Sequence, residues 1–250
     1  MSGGTISECS ASESLEDQLR NVLHSAGEKG GGVYITDSIQ VSGGTISCDI
    51  VIVPGNSSEE KMQKVGGTIS GSIYILPYTR NTSEGGKIKI ETGSGSKATI
   101  GSVHVAPGVT ATLNDVEVGT LTLYAAETYS STATIGSDTT VKEIKYEKGA
   151  SATATPKIIN NGTITGNNTY NGEVENSGTI NGGTFSGAVT NKEGGSIIDG
   201  TFTTASTVNV NAGSTLVNPT FEGSNQPTKV DNTSTVTFNV GSTEIGRAHV

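Results

Sequence analysis

The chain has 250 residues, 32% of them hydrophobic and 4% aromatic, with 35 glycines and no tryptophan, which is too little bulky apolar material for a thick globular core. Charged residues are only 16% and Val, Ile, Thr and Tyr recur in short alternating bursts, a composition that excludes a disordered chain. A net charge of −9 without any Lys/Arg cluster argues against nucleic acid and anionic membranes as partners, and no run approaches the ~18 apolar residues of a membrane span.

Residues 1–11 read as a disordered N-terminal tail, although they contain the pentapeptide GGTIS at Gly3 to Ser7, which returns at Gly43 to Ser47 and Gly66 to Ser70. Cys9 and Cys48 are too few for a disulfide framework and lack metal-ligand spacing. Cys48 is therefore read as a small buried hydrophobe, with a bridge to Cys9 as the alternative. Residues 12–30 read as a capping helix and linker. In SLEDQLRNVLHSA, Ser14 to Ala26, the residues Leu15, Leu19, Val22, Leu23 and Ala26 form one apolar stripe. Ser14 and Asp17 suit its N-terminus, and Gly27 suits its end.

From Val33 onward the chain becomes short strands punctuated by Gly, Asn, Ser and Pro: VYI, SIQV, TISCDIVIV, TISGSIYIL, GKIKIE, SVHV, ATL, VEV, TLTLY, KEIKY. Residues 31–157 form irregular coils, in which Gly43 to Gly55 and Gly66 to Tyr78 share G-G-T-I-S-x-x-I-x-I-x-P. Residues 158–243 form shorter coils with G-T-I and G-T-F turns. Ile164, Ile180, Ile198 and Leu216 recur at steps of 16, 18 and 18, and Tyr170, Phe185, Phe202 and Phe221 at 15, 17 and 19. Repeats of this length with isolated strands and no helix predict a β-solenoid, whose coils stack identical side chains in columns. Both sets are expected as core columns, and Asn161, Asn176, Asn191 and Asn211 as a corner ladder of amide hydrogen bonds. A sandwich of antiparallel hairpins competes, but the two-residue N-G or D-G turns that hairpins favour are few.

The last six residues, Ile245 to Val250 (IGRAHV), resemble the translation of a short-read sequencing adapter, ATC GGA AGA GCA CAC GTC. Residues 244–250 are thus expected to be an artefactual tail. Together with the stray first GGTIS, this leads to the expectation of a fragment at both ends.

A helix, then GGGVYI, then irregular G-T-I and G-T-F turns resemble the single-stranded right-handed parallel β-helix proteins of the pectin-lyase-like fold. The late G-T-I-x-G-G-T-F-x-G turns resemble the Thr/Asn/Gly-rich repeats of bacterial surface proteins and adhesins. The resemblance covers about residues 12–243. It implies an all-β right-handed β-helix closed at its N-terminus by the amphipathic helix, and an extracellular or cell-surface location.

That architecture also hosts polysaccharide lyases and hydrolases, so chemistry has to be looked for directly. Asp37, Asp49, Asp115, Asp138, Asp199 and Asp231 are isolated, whereas glycoside hydrolysis needs two facing carboxylates. Arg20 falls on the capping helix and Arg80 in the turn YTRNTSEGG. His24 is on the helix, His104 is expected to face solvent between Val103 and Val105, and His249 is in the tail. G-G-T-I-S lacks the lysine ending and following helix of a phosphate loop. T-x-T pairs at Thr110/Thr112, Thr120/Thr122, Thr132/Thr134, Thr153/Thr155 and Thr163/Thr165 are too unevenly spaced for a flat ice-binding face. The charged patch Glu59, Glu60, Lys61 and Lys64 reads as a loop or short helical insertion, and with Tyr78 to Gly86 forms the best contact loops. No catalytic, cofactor-binding or metal residue is assigned. The expected function is a non-catalytic structural or adhesive segment of a larger bacterial surface or secreted protein, meeting glycans or host or cell-surface proteins. The alternative is a polysaccharide-active β-helix enzyme with degenerate or missing catalytic coils.

Overall fold

The computed structural model describes residues 5–6, 32–35, 38, 40–54, 60–77, 86–93, 96–223, 229–230 and 233–237. The expected capping helix and the terminal tail lie outside these residues. The described regular structure is all β, folded as a parallel β-solenoid of three sheets with 14, 9 and 4 strands. Successive coils pair in parallel, apart from one antiparallel hairpin between Val116–Ala126 and Tyr129–Ser130. The chain advances one coil at a time, so each strand inside a sheet is hydrogen-bonded to the coil before and the coil after it.

The 14-stranded sheet is built on the pentapeptide. Thr5, Thr45, Thr68 and Thr99 lie in register, and so do Ile6, Ile46, Ile69 and Ile100. The same register continues through Val118, Val141, Ile164, Ile180, Ile197, Leu216 and Val236. Between Ile46 and Leu216 this column is at most 1% exposed, and each such side chain contributes roughly 1.5–3 kcal/mol by leaving water. The glycine pair shapes the corner that precedes it. Gly67 has φ +75°, and a Cβ there would lie 2.3 Å from the Gly44 carbonyl oxygen of the coil below; only glycine allows two backbones to approach so closely at that angle. Thr5–Ile6, expected in a disordered tail, instead pairs with Thr45–Ile46, so this dipeptide belongs to the stack.

The four-stranded sheet exists only in the short coils, where Tyr170, Phe185, Phe202 and Phe221 stack in the expected column. Ring centroids are 4.4, 5.0 and 5.1 Å apart with planes within 18° of parallel. The aliphatic column differs from expectation by one residue: Ile197 occupies it, and Ile198 pairs with Asn181 and Val217 outside it. Because strand side chains alternate faces, a one-residue shift exchanges core and surface. The true steps, 164 to 180 to 197 to 216, are 16, 17 and 19, and the last two match the aromatic steps of 17 and 19.

The amide ladder forms inside the nine-stranded sheet, with Asn176 and Asn191 as expected and both expected ends one residue away. Asn160, not Asn161, begins it: Asn160 Nδ2 donates to Asn176 Oδ1 (2.7 Å), and Asn176 Nδ2 donates to Asn191 Oδ1 (2.8 Å). Val210, not Asn211, follows Asn191, and Ile135 precedes Asn160. All three asparagines are fully buried, which is tolerable because each also bonds backbone carbonyls at the corner, such as Thr179, Gly178 and Gly195. At the other end of this column Gln63 is fully buried in register with Ile90.

Two further expectations are corrected. EKMQKV, Glu60–Val65, is a strand paired with Lys87–Thr92 rather than a loop or helical insertion. Its alternation is hidden because Lys61 and Gln63 occupy positions that Ile88 and Ile90 fill in the next coil. Cys48 is buried as expected but is disulfide-bonded rather than a plain hydrophobe.

Introducing a carboxylate at Ile197 should cost several kcal/mol of unfolding free energy, since it buries an unpaired charge. The same change at Ile198 should cost no more than about 1 kcal/mol. Chemical denaturation of Ile197→Asp and Ile198→Asp checks the register, and equal losses would contradict it.

Candidate functional site

The irregular coils widen the 14-stranded sheet. Thr68–Ile75, Ala98–Val105, Val116–Ala126 and Thr140–Lys148 run side by side as its longest strands. Their inward residues, Ile73, Ile75, Val103, Val105, Leu121, Leu123 and Ile144, are buried. Alternation therefore turns the residues between them outward. Two outward rows result: Ser72, Ser102, Thr120, Glu143, and Tyr74, His104, Thr122, Lys145.

The first row carries two hydroxyl contacts between neighbouring coils. Ser102 Oγ donates to Ser72 Oγ (2.8 Å), Thr120 Oγ1 donates to Glu143 Oε2 (2.8 Å), and the Ser72 amide donates to Asp49 Oδ1 (2.8 Å). The Thr120 hydrogen bond, with Lys145 beside it at 3.4 Å, holds the Glu143 carboxyl below its ordinary range.

The second row holds the most specific chemistry on the described surface. The His104 ring stacks on Tyr74 with centroids 4.5 Å apart, and its Nδ1 is hydrogen-bonded to the Tyr124 hydroxyl at 3.0 Å. Tyr124 sits two residues beyond Thr122, its ring tilted 32° to His104 at 6.1 Å. Burial pulls the imidazole pKa from 6.5 down to about 4, with Asp49 opposing and Lys145 adding to the shift. Burial first, then Glu147 and Tyr74, push the Tyr124 phenol up to about 12. Both groups are consequently neutral near pH 7. His104 does lie on the outer face, as the alternation predicts, but it is half-buried between two tyrosines rather than solvated. The sequence carried this signal in SIYIL, SVHVA and TLTLY, but only the register across coils of unequal length brings the three rings together.

The other candidates are distributed differently. Arg20, His24, Asp37, Glu59, Arg80, Asp231, His249 and the Tyr78 to Gly85 stretch lie outside the described residues. The described aspartates are separate: Asp49 begins a strand, and two others serve corners. Asp115 and Asp199 adopt φ of 53° and 54°; Asp115 lies 3.8 Å from Lys97 Nζ, and Asp199 Oδ1 accepts from Asn218 Nδ2 (3.0 Å). Among the described residues no group of three His, Cys, Asp or Glu could hold a metal ion. The T-x-T pairs are dispersed: Thr110/Thr112 stack on Thr132/Thr134 in the nine-stranded sheet, Thr120/Thr122 belong to the 14-stranded one, and Thr153/Thr155 lie outside the strands. They form no common face. On the nine-stranded sheet Lys157 bridges Glu173 (3.0 Å) and Glu175, and Lys192 also reaches Glu175. These hydrogen bonds raise the Lys157 pKa and lower that of Glu175, as expected for an ion ladder between coils.

No protein-family model, curated protein or solved structure matches the chain.

The His104 shift fixes a pH dependence. The folded state favours neutral imidazole while the unfolded chain titrates near 6.5, so stability is intact above that value and declines as pH falls toward 4. The loss should reach at most about 3 kcal/mol below pH 4. Denaturant midpoints of the wild type and His104→Gln between pH 7 and 4 should converge as this contribution disappears, and parallel curves would contradict the burial of His104.

Proposed function

We propose that the chain is a non-catalytic structural or adhesive segment of a larger bacterial cell-surface or secreted protein, a right-handed β-helix of the pectin-lyase-like type that displays its outer face to glycans or host or cell-surface proteins. The observation that carries this reading is the Tyr74, His104 and Tyr124 tier on the widest part of the 14-stranded sheet. Aromatic groups held rigid by stacking, next to the hydroxyls of Ser72, Ser102 and Thr120, offer apolar area together with polar contacts at little entropic cost. A partner of this kind is uncharged or weakly charged, in keeping with the net charge of −9. The disulfide at Cys48 supports an oxidising, extracytoplasmic setting.

The second reading, a polysaccharide-active enzyme, rests on the Tyr124 and His104 pair near Asp49, where a phenol and an imidazole share a hydrogen bond. The phenol pKa of about 12 disfavours it as a base at neutral pH, and this weighs toward binding over catalysis.

A glycan array combined with a release assay on neutral and acidic polysaccharides separates the two. Binding without release, weakened roughly tenfold in Tyr74→Ala (about 1.4 kcal/mol), is the expected result. Reproducible cleavage abolished in Tyr124→Phe would overturn the scaffold reading.

A further inference from the structure

The antiparallel hairpin of Val116–Ala126 with Tyr129–Ser130 interrupts the solenoid where the chain leaves the 14-stranded sheet for Thr132–Ile135 of the nine-stranded one. Its two connecting residues, Glu127 and Thr128, are exposed. Glu127 adopts a φ of 50°, and the other described non-glycine residues with positive φ are Asp115, Asp199 and Asn218, whose short polar side chains suit that region as Glu does not. Neighbouring coils hold the turn. Thr153 N–H (2.7 Å), Ala154 N–H (3.2 Å) and Thr153 Oγ1 (3.1 Å) all donate to the Glu127 carbonyl, and Gly108 N–H donates to the Ser130 carbonyl (3.1 Å). Strain kept in place from both sides in this way is found where a protein presets a site.

Residues directly opposite in a hairpin share a face, so Tyr129, opposite Ala126, stands on the outer side with Tyr124, while Ala125 is buried. Tyr129 is partly exposed, and no ring contact or side-chain hydrogen bond to a described residue engages it. The outer groups therefore run as a diagonal across the coils: Ser72 and Ser102, then Tyr74 and His104, then Tyr124, then Tyr129. From Thr120, level with Ser102, to Ala126 the strand covers about 20 Å.

We infer that the hairpin is the wall of a site for a linear neutral oligosaccharide lying along the strands, from the hydroxyl row to Tyr129, and that Tyr129 selects for the length of that ligand. The inference rests on the glycan-binding reading and adds the direction and size of the glycan. A sugar chain offers hydroxyls to Ser72, Ser102 and Thr120 and apolar C–H surface to the aromatic rings in one molecule. Glu143, the carboxylate at the end of the hydroxyl row, is paired with Lys145 at 3.4 Å, so it calls for no cation on the ligand. A ligand that touches only the hydroxyl row and the aromatic tier can be short, whereas one that also reaches Tyr129 has to be several sugars long.

The test compares the full chain with its Tyr129→Ala and Tyr74→Ala variants on disaccharides and hexasaccharides of the same neutral linkage series. Wild type should bind the hexasaccharides roughly tenfold more tightly than the disaccharides. Tyr129→Ala should lose that ratio while keeping the disaccharide affinity and the denaturation midpoint of the wild type, and Tyr74→Ala should weaken both lengths alike. A length ratio unchanged in Tyr129→Ala, or a midpoint lowered by that substitution, would overturn the inference and leave the glycan-binding reading standing. A wild type that binds neither length in any neutral series would overturn both.

Discussion

Everything in this solenoid depends on parallel, in-register hydrogen bonding between consecutive coils. Once one strand is placed, the next coil must deliver a residue of matching character at each pleat position, because identical positions are brought within about 5 Å of one another. The column from Ile46 to Leu216 is the direct consequence: nine coils supply Ile, Val or Leu at one point, although the chain between them ranges from 16 residues (164 to 180) to 31 (68 to 99). Coil length is free because the turns absorb it, while the strand position is not. The low hydrophobic content follows from the same constraint, since a core one or two side chains wide is filled by a few residues per coil.

The buried asparagines of the nine-stranded sheet enter the interior as a repeat. Asn160, Asn176 and Asn191 satisfy one another along the stack and bond the corner carbonyls, so three buried amides cost little. Outside the core, repetition has a different effect. On the widened outer face Tyr74 stacks on His104, and the row continues to a buried Thr122 and to Lys145. The columns thus stop being uniform at the place where the surface becomes chemically distinctive, which is why that tier, rather than the threonine-rich short coils, is where binding is proposed.

Much of the fold was legible in the sequence because columns write themselves as repeated letters. Tyr170, Phe185, Phe202 and Phe221 are rare large residues in a small-residue background, and their register could be read directly. The aliphatic column was misread at Ile197 and Ile198, where two adjacent isoleucines made both registers plausible and only the agreement with the aromatic steps favoured the correct one. Asn160 and Asn161 posed the same ambiguity. The strand Glu60–Val65 was missed because Lys61 and Gln63 stand at inward positions, so composition pointed to a surface loop. The candidate site was illegible for a stronger reason. Tyr74, His104 and Tyr124 come from coils of unequal length, and the Tyr124 hydroxyl reaches His104 from two residues beyond the strict pairing, a diagonal contact that no periodicity announces.

Parallel in-register stacking is tested most directly by distances measured along the axis. Spin-label pairs at Thr140/Thr215, Thr99/Thr215 and Thr45/Thr215 lie four, six and eight rungs apart by the observed register. At about 4.8 Å per rung, electron–electron resonance should give separations near 19, 29 and 38 Å, growing with the number of rungs and not with the number of residues between the labels. A pair separated by more rungs yet closer in space, as in strands folded back into a sandwich, would contradict the solenoid.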